Sequence, residues 1–248
     1  PRRIPWWYAV GGAAGGFFVL SQSSVVPMLG VALFTVGVVA GQLTSSTLID
    51  RRGFGTMRPR ALTPSRVIGG LLAVVGVGVA VSGDVSPTAQ WWLVLAPIAA
   101  GLGVGFQQAA NGQIRAVGES WLAATFGNFV VGTTVLALAL LVHLLTTPWP
   151  DAFPASPLLY LGGGVGGLFI AIQVVVVRVT GVLVMGLAIL SGQLAAAVLF
   201  DLVLPVPGHS FAIMAAIGAG ITLVAVAVAV VPWGRLRRGG LGELHSSE

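Results

Sequence analysis

The 248-residue chain has no cysteine, so neither a disulfide framework nor a thiolate metal site is available to it. Its three histidines, His143, His209 and His245, lie far apart near the ends of apolar segments or in the tail, which does not suggest an imidazole cluster. Charge is scarce. Asp, Glu, Lys and Arg make up 8% of the residues against about 25% in ordinary soluble domains, and apolar residues 56% against about 45 to 50%. Such a chain dissolves in lipid rather than in water. The connections between its apolar runs are too short to hold a soluble domain, and the longest, 51–64, is basic and carries Gly and Pro. Function is therefore expected inside the membrane. No constellation of nucleophile, base and metal of the kind an enzyme needs can be traced, so neither catalysis nor a cofactor is expected.

Crossing a hydrocarbon core of roughly 30 Å takes about 20 apolar residues in a helix. Eight such spans can be marked, at 6–26, 31–50, 65–82, 92–113, 121–144, 157–177, 182–203 and 210–231. They are continuously apolar where the strands of a barrel would alternate, which makes this an all-α integral membrane protein. All twelve basic residues are arginine, and all fall on one side of this eight-helix threading. Arg2 and Arg3 precede the first span; Arg51, Arg52, Arg58, Arg60 and Arg66 separate the second from the third; Arg115, Arg178 and finally Arg235, Arg237 and Arg238 follow on the same side. Basic residues in short loops stay cytoplasmic, so both termini are placed in the cytoplasm. The net charge of +5 is then a topology signal and a contact with anionic headgroups rather than a nucleic-acid footprint. Aromatics agree, since Trp6, Trp7, Tyr8, Trp91, Trp92, Trp121, Trp149, Tyr160 and Trp233 all lie at span ends or in loops, where amphipathic rings prefer the headgroup level.

The chain also repeats itself. Residues 11–50 align without a gap to residues 162–201, matching Gly11 with Gly162, Gly15 and Gly16 with Gly166 and Gly167, Gln22 with Gln173, Gly30 with Gly181, Gly41-Gln42-Leu43 with Gly192-Gln193-Leu194 and Asp50 with Asp201. An odd number of crossings, five, separates the start of one copy from the start of the next, so the second copy is inverted relative to the first. Inverted repeats are the architecture of alternating-access transporters. The organisation expected is residues 1–83 as the last three helices of a first repeat, 92–232 as a complete second repeat of five helices, and 233–248 as a basic cytoplasmic tail. The fourth and fifth spans have no N-terminal counterparts, so two helices are expected to precede Arg2 in a ten-helix protein, a natural eight-helix protein being the alternative.

The stretch 101–134, with Gln107, Asn111, Gly118, Ala123, Ala124, Phe129 and Gly132 in order, resembles the YdcZ-like (DUF606) family of the drug/metabolite transporter (DMT) superfamily. The glycine-rich sixth span followed by Gly192-Gln193-Leu194 and Asp201 resembles its later part. One departure is Glu119-Ser120-Trp121, where the family usually has Ser-Pro after the glycine, and this leaves the geometry of that turn open. The resemblance implies a bacterial inner-membrane permease of two inverted five-helix repeats.

Depth selects the residues that could meet a solute. Gln42, Gln107 and Gln193 each lie eight residues before a charged helix end, at about 12 Å from an interface and near mid-membrane. Asn128 lies at about 10 Å, and Asn111 is one turn from Gln107 on the same face. These five amides are the candidate substrate-binding residues, because a buried amide offers both donors and an acceptor to a neutral or zwitterionic solute. The competing reading is interhelical glue, which is the preferred one for Gln22 and Gln173. The paired glycines of the first and sixth spans are expected to permit close helix contact. Asp50 and Asp201 close helices at the C-terminal end, where the macrodipole disfavours an anion, which marks them as candidate gating residues against the plainer reading of solvated helix ends. No carboxylate lies inside a span, so no embedded proton carrier is visible. The expected function is a secondary transporter for a small metabolite or drug-like solute. Alternatives are a passive pore, a lipid scramblase or a membrane-embedded assembly subunit; a homodimer is compatible with all of them.

Overall fold

The computed structural model describes residues 5–29, 31–80, 82, 91–149, 155–203 and 213–230. Among them, eight α-helices follow one another: α1 (Val10–Leu29), α2 (Val31–Arg52), α3 (Pro64–Ala80), α4 (Leu95–Gly118), α5 (Trp121–Leu144), α6 (Gly162–Thr180), α7 (Val182–Val203) and α8 (Ile213–Val230). Short 3-10 turns at Trp6–Ala9, Trp91–Val94 and Pro157–Tyr160 lead into α1, α4 and α6. Five stretches are long and apolar enough to cross a membrane: Trp6–Leu29, Leu33–Arg52, Trp92–Gly118, Trp121–Leu144 and Gly162–Thr180. The other three expected crossings are shorter apolar helices within the described residues, Pro64–Ala80, Val182–Ala196 and Ala216–Val230. The side chain of Asp201 and the whole 233–248 tail lie outside the described residues.

Two of the ends and turns that sequence left short or open have local reasons. α1 runs through Pro27 to Leu29, because a proline in the last turn forfeits one backbone hydrogen bond near an end that is frayed anyway. The α4–α5 turn, left open by Glu119-Ser120, is built by those two residues. Glu119 takes the left-handed conformation (φ 53°, ψ 15°) that ends α4, and the Ser120 hydroxyl accepts the Ala123 N–H at 3.1 Å as the N-cap of α5.

The chain divides into two compact units, the first Pro1–Arg60 with Asp84–Gly186 and the second Ala61–Gly83 with Leu187–Glu248. In the first, α4 is the hub, packed by α1, α2, α5 and α6, with α1 also on α5. Glycines set the spacing. A Cβ on Gly101 of α4 would press on the Val38 carbonyl and stand 2.8 Å from the Gln42 backbone nitrogen; one on Gly41 of α2 would press on the Ile98 carbonyl and stand 2.9 Å from the Leu102 backbone nitrogen. The backbones of α2 and α4 therefore nearly touch. On α1, Gly12 and Gly16 face α5 at the Asn128 and Gly132 carbonyls. The matching glycines of α6 do not repeat this among the described residues, contrary to expectation: there a Cβ on Gly162, Gly163 or Gly167 meets nothing within 4 Å, and one on Gly166 only the Phe129 ring at 3.6 Å. α6 turns a different face, carrying Gln173, Val174 and Val177, into the unit.

Apolar clusters close both ends of the first unit. Val25, Leu29, Phe34, Val38 and Leu93 form one, and Tyr8, Ala110, Ile114, Ala124 and Val174 the other. Tyr8, at the start of the first span, is 5% exposed. It lies beneath the loop after α2 with its ring 5.6 Å from that of Phe54, while Trp6, two positions earlier on the same turn, stays in the open. In the second unit α3 pairs with α8 where Gly76 meets Gly218, and Ser191 of α7 donates to the Thr222 carbonyl at 2.9 Å.

Candidate solute-binding site

α4 buries Gln107, Gln108, Asn111 and Gln113 in a single helix. Residues four apart share a helix face, so Gln107 and Asn111 both reach Asn128 on α5. The Asn128 Oδ1 accepts from Gln107 Nε2 at 2.8 Å and from Asn111 Nδ2 at 3.1 Å. α1 leaves the room, since a Cβ on Gly15 would stand 2.6 Å from Gln107 Nε2. Two such bonds between membrane helices contribute about 1 kcal/mol together, so the triad orients polar groups more than it holds the fold. Three of the five amides read from depth thus meet. Gln42 is buried elsewhere, with its Nε2 3.1 Å from where a Cβ of Gly186, in the first turns of α7, would sit. Gln193 is exposed on α7, in the second unit.

Asp50 is not a solvated helix end. It is 2% exposed, and its carboxylate accepts the Val182 N–H at 2.9 Å and the Leu183 N–H at 3.3 Å. The C-terminal dipole of its own helix disfavours the charge, but the N-terminus of α7 offers free N–H groups and a positive dipole end that favour it. Arg60 completes the arrangement from the other side. Its backbone N–H donates to the Asp50 carbonyl at 2.6 Å, and its guanidinium donates to the Thr180 and Val179 carbonyls at 3.0 and 2.8 Å, terminating α6. Between the two helices Gly181 adopts φ +85°, and a Cβ there would stand 2.7 Å from Asp50 Oδ2. The same loop is tied to α4 and α6 through Thr56. Gln113 Oε1 accepts from the Thr56 N–H and hydroxyl at 2.8 and 2.9 Å, and Arg178 donates to that hydroxyl at 2.8 Å.

Sequence reasoning passed over Gln108, at 1% exposure, and Ser46, fully buried, and assigned Gln173, at 5%, to interhelical glue while Gln22 is exposed. Gln108 Oε1, Asn111 Oδ1, Gln173 Oε1 and Ser46 Oγ are buried with no hydrogen-bond partner among the described residues. The available signal was the doublet Gln107-Gln108: neighbours on a helix point about 100° apart, so both cannot serve the Asn128 face. No group of His, Asp and Glu able to hold a metal ion occurs among the described residues.

The family described as "Putative inner membrane exporter, YdcZ" matches residues 1–79 and 92–228. The chain belongs to the YdcZ family. It is thereby a member of a family of inner-membrane exporters, transporters rather than enzymes, and the apolar spans fit that setting. No curated protein matches the sequence. Among solved structures, one described only as "Crystal structure of protein" shares the fold, with a TM-score of 0.71 at 19% identity over 95% of this YdcZ-family chain and 79% of that chain.

Proposed function

We propose that this YdcZ-family chain is a secondary transporter of the drug/metabolite type that moves a small metabolite or drug-like solute by alternating access. The observation that carries the reading is the buried triad of Gln107, Asn111 and Asn128, polar groups assembled within helices that are otherwise apolar. Gln42 extends the binding surface on α2, and the repeat assigns Gln193 the corresponding role. Eight crossings with both ends cytoplasmic follow from the one-sided arginines, and the duplicated segments support inverted repeats. Asp50 acts as a gate element because its carboxylate holds the first turn of α7, and releasing it would free the α6–α7 turn; Asp201 is its counterpart by the repeat.

The topology has a direct test, because the chain offers no native thiol. In intact cells, Thr147→Cys is expected to react with an impermeant maleimide and Ala61→Cys to react only after permeabilisation. Labelling of Ala61→Cys from outside would overturn the orientation.

The site is tested by Asn128→Leu, which removes the acceptor shared by Gln107 and Asn111, and by Gln42→Leu. In proteoliposomes, with a solute found by screening, either is expected to lower transport tenfold or more, because a solute losing a buried polar partner loses about 1 to 3 kcal/mol. The detergent melting temperature should move by only a few degrees, since each interhelical amide bond contributes about 0.6 kcal/mol. Undiminished transport by both variants would make the amides helix glue. Saturable counterflow separates a carrier from a passive pore or scramblase.

A further inference from the structure

The loop after α2 gives a common level to two helices. Thr56 bonds Gln113 of α4 and Arg178 of α6, so the C-terminal ends of these helices lie side by side. Gln108 is five residues before Gln113, and Gln173 five before Arg178. Both glutamines therefore stand about 7.5 Å inward from that level. Contacts along the same helices agree, with Gly112 of α4 against Val177 of α6, one turn closer to the loop than Gln108 and Gln173. Asn111 is about 60° round α4 from Gln108 and one turn nearer the loop. The amide oxygens of all three residues are buried and accept no hydrogen bond among the described residues.

Three amide carbonyl oxygens without donors favour a ligand that brings donors to them. An anion would face the negative ends of these dipoles, and the arginines of α4 and α6, Arg115 and Arg178, both lie in the last turns of their helices. A hydroxyl brings a single donor. A primary ammonium brings three, with a positive charge that carbonyl dipoles can solvate in place of water. We propose that Gln108, Asn111 and Gln173 form an acceptor-lined position in the first unit that binds a solute through a primary ammonium group. This deepens, and rests on, the reading of the chain as a carrier.

The test is equilibrium binding to the purified chain in lipid nanodiscs at neutral pH, followed by tryptophan fluorescence. The probes are n-butylammonium, n-butyltrimethylammonium, which keeps the charge and lacks N–H donors, and butyrate. Saturable binding of n-butylammonium is expected, at least tenfold tighter than n-butyltrimethylammonium, with no response to butyrate. Gln108→Leu, Asn111→Leu and Gln173→Leu should each weaken it tenfold or more, and Gln22→Leu on the exposed face of α1 should not. The probe comparison needs no variant, so a misfolded mutant does not blunt it. Equal binding of the two ammonium probes, preference for butyrate, or no saturable binding of n-butylammonium would overturn the proposal. Flux distinguishes the two readings: transport of an amine-free solute without n-butylammonium binding ends the ammonium assignment and leaves the carrier standing, whereas n-butylammonium binding without flux of any solute does the reverse.

Discussion

Replacing Gly101 by leucine is expected to abolish the native fold of the first unit. A side chain at this position begins against the Val38 carbonyl and the Gln42 nitrogen, both backbone atoms that no rotamer change can move aside. The helices must separate or shift along each other, and overpacking of this kind costs about 1 to 3 kcal/mol or more even where side chains can adapt. Gly41→Leu should behave alike, because its Cβ begins against the Ile98 carbonyl. Gly163→Leu supplies the contrast, with nothing within 4 Å of its Cβ among the described residues. Size-exclusion profiles and melting curves in mild detergent check this: aggregation or loss of a cooperative transition for the α2 and α4 variants, and a near-native profile for Gly163→Leu. Equal behaviour of all three would mean that the α2–α4 crossing is looser than described.

Asp50→Ala should be the most damaging single loss of a side chain. It leaves the Val182 and Leu183 N–H groups of α7 without their acceptor and removes the anion from a favourable helix end. Helix caps contribute about 0.5 to 2 kcal/mol, and hydrogen bonds to charged groups about 1.5 to 3. A cost of about 2 to 4 kcal/mol follows. Asp50→Asn keeps the shape and one acceptor and should recover part of it. Urea or thermal unfolding of the two variants in nanodiscs measures the difference. If Asp50→Ala unfolds with the wild type, the carboxylate does not hold α7 in the native state.

How much of this was legible without coordinates depends on what each residue's environment is made of. The limits of α5 agree with the expected 121–144, and α7 starts at the expected Val182, because the apolar runs are bounded there by polar or turn residues. The meeting of Gln107, Asn111 and Asn128 was also within reach, since counting from interfaces gives depth, and depth brings residues on adjacent helices to one level. Depth says nothing about azimuth. Gln108 and Gln173 lie at suitable levels, yet which flank of a helix meets a neighbour depends on how the helices are rotated, and a chain that is apolar on every face gives no amphipathic stripe to read this from. The partner of Asp50 was out of reach for another reason. Its own helix end argues against an anion, and the partner that reverses the argument is 132 positions away. The glycines of α1 and α6 match in sequence, but close contact is a property of two helices, and only α1 has its partners among the described residues.

One oxygen atom of the α2–α3 loop joins α4 to α6. The Thr56 hydroxyl donates to Gln113 and accepts from Arg178, so its hydrogen has a fixed direction and its lone pairs a fixed client. Valine would match its volume and branch and still cut both side-chain links at once, whereas serine, smaller by a methyl group, would keep them. At this joint chemistry outranks shape, the reverse of the rule along the rest of these helices, where the size of a side chain decides what is tolerated.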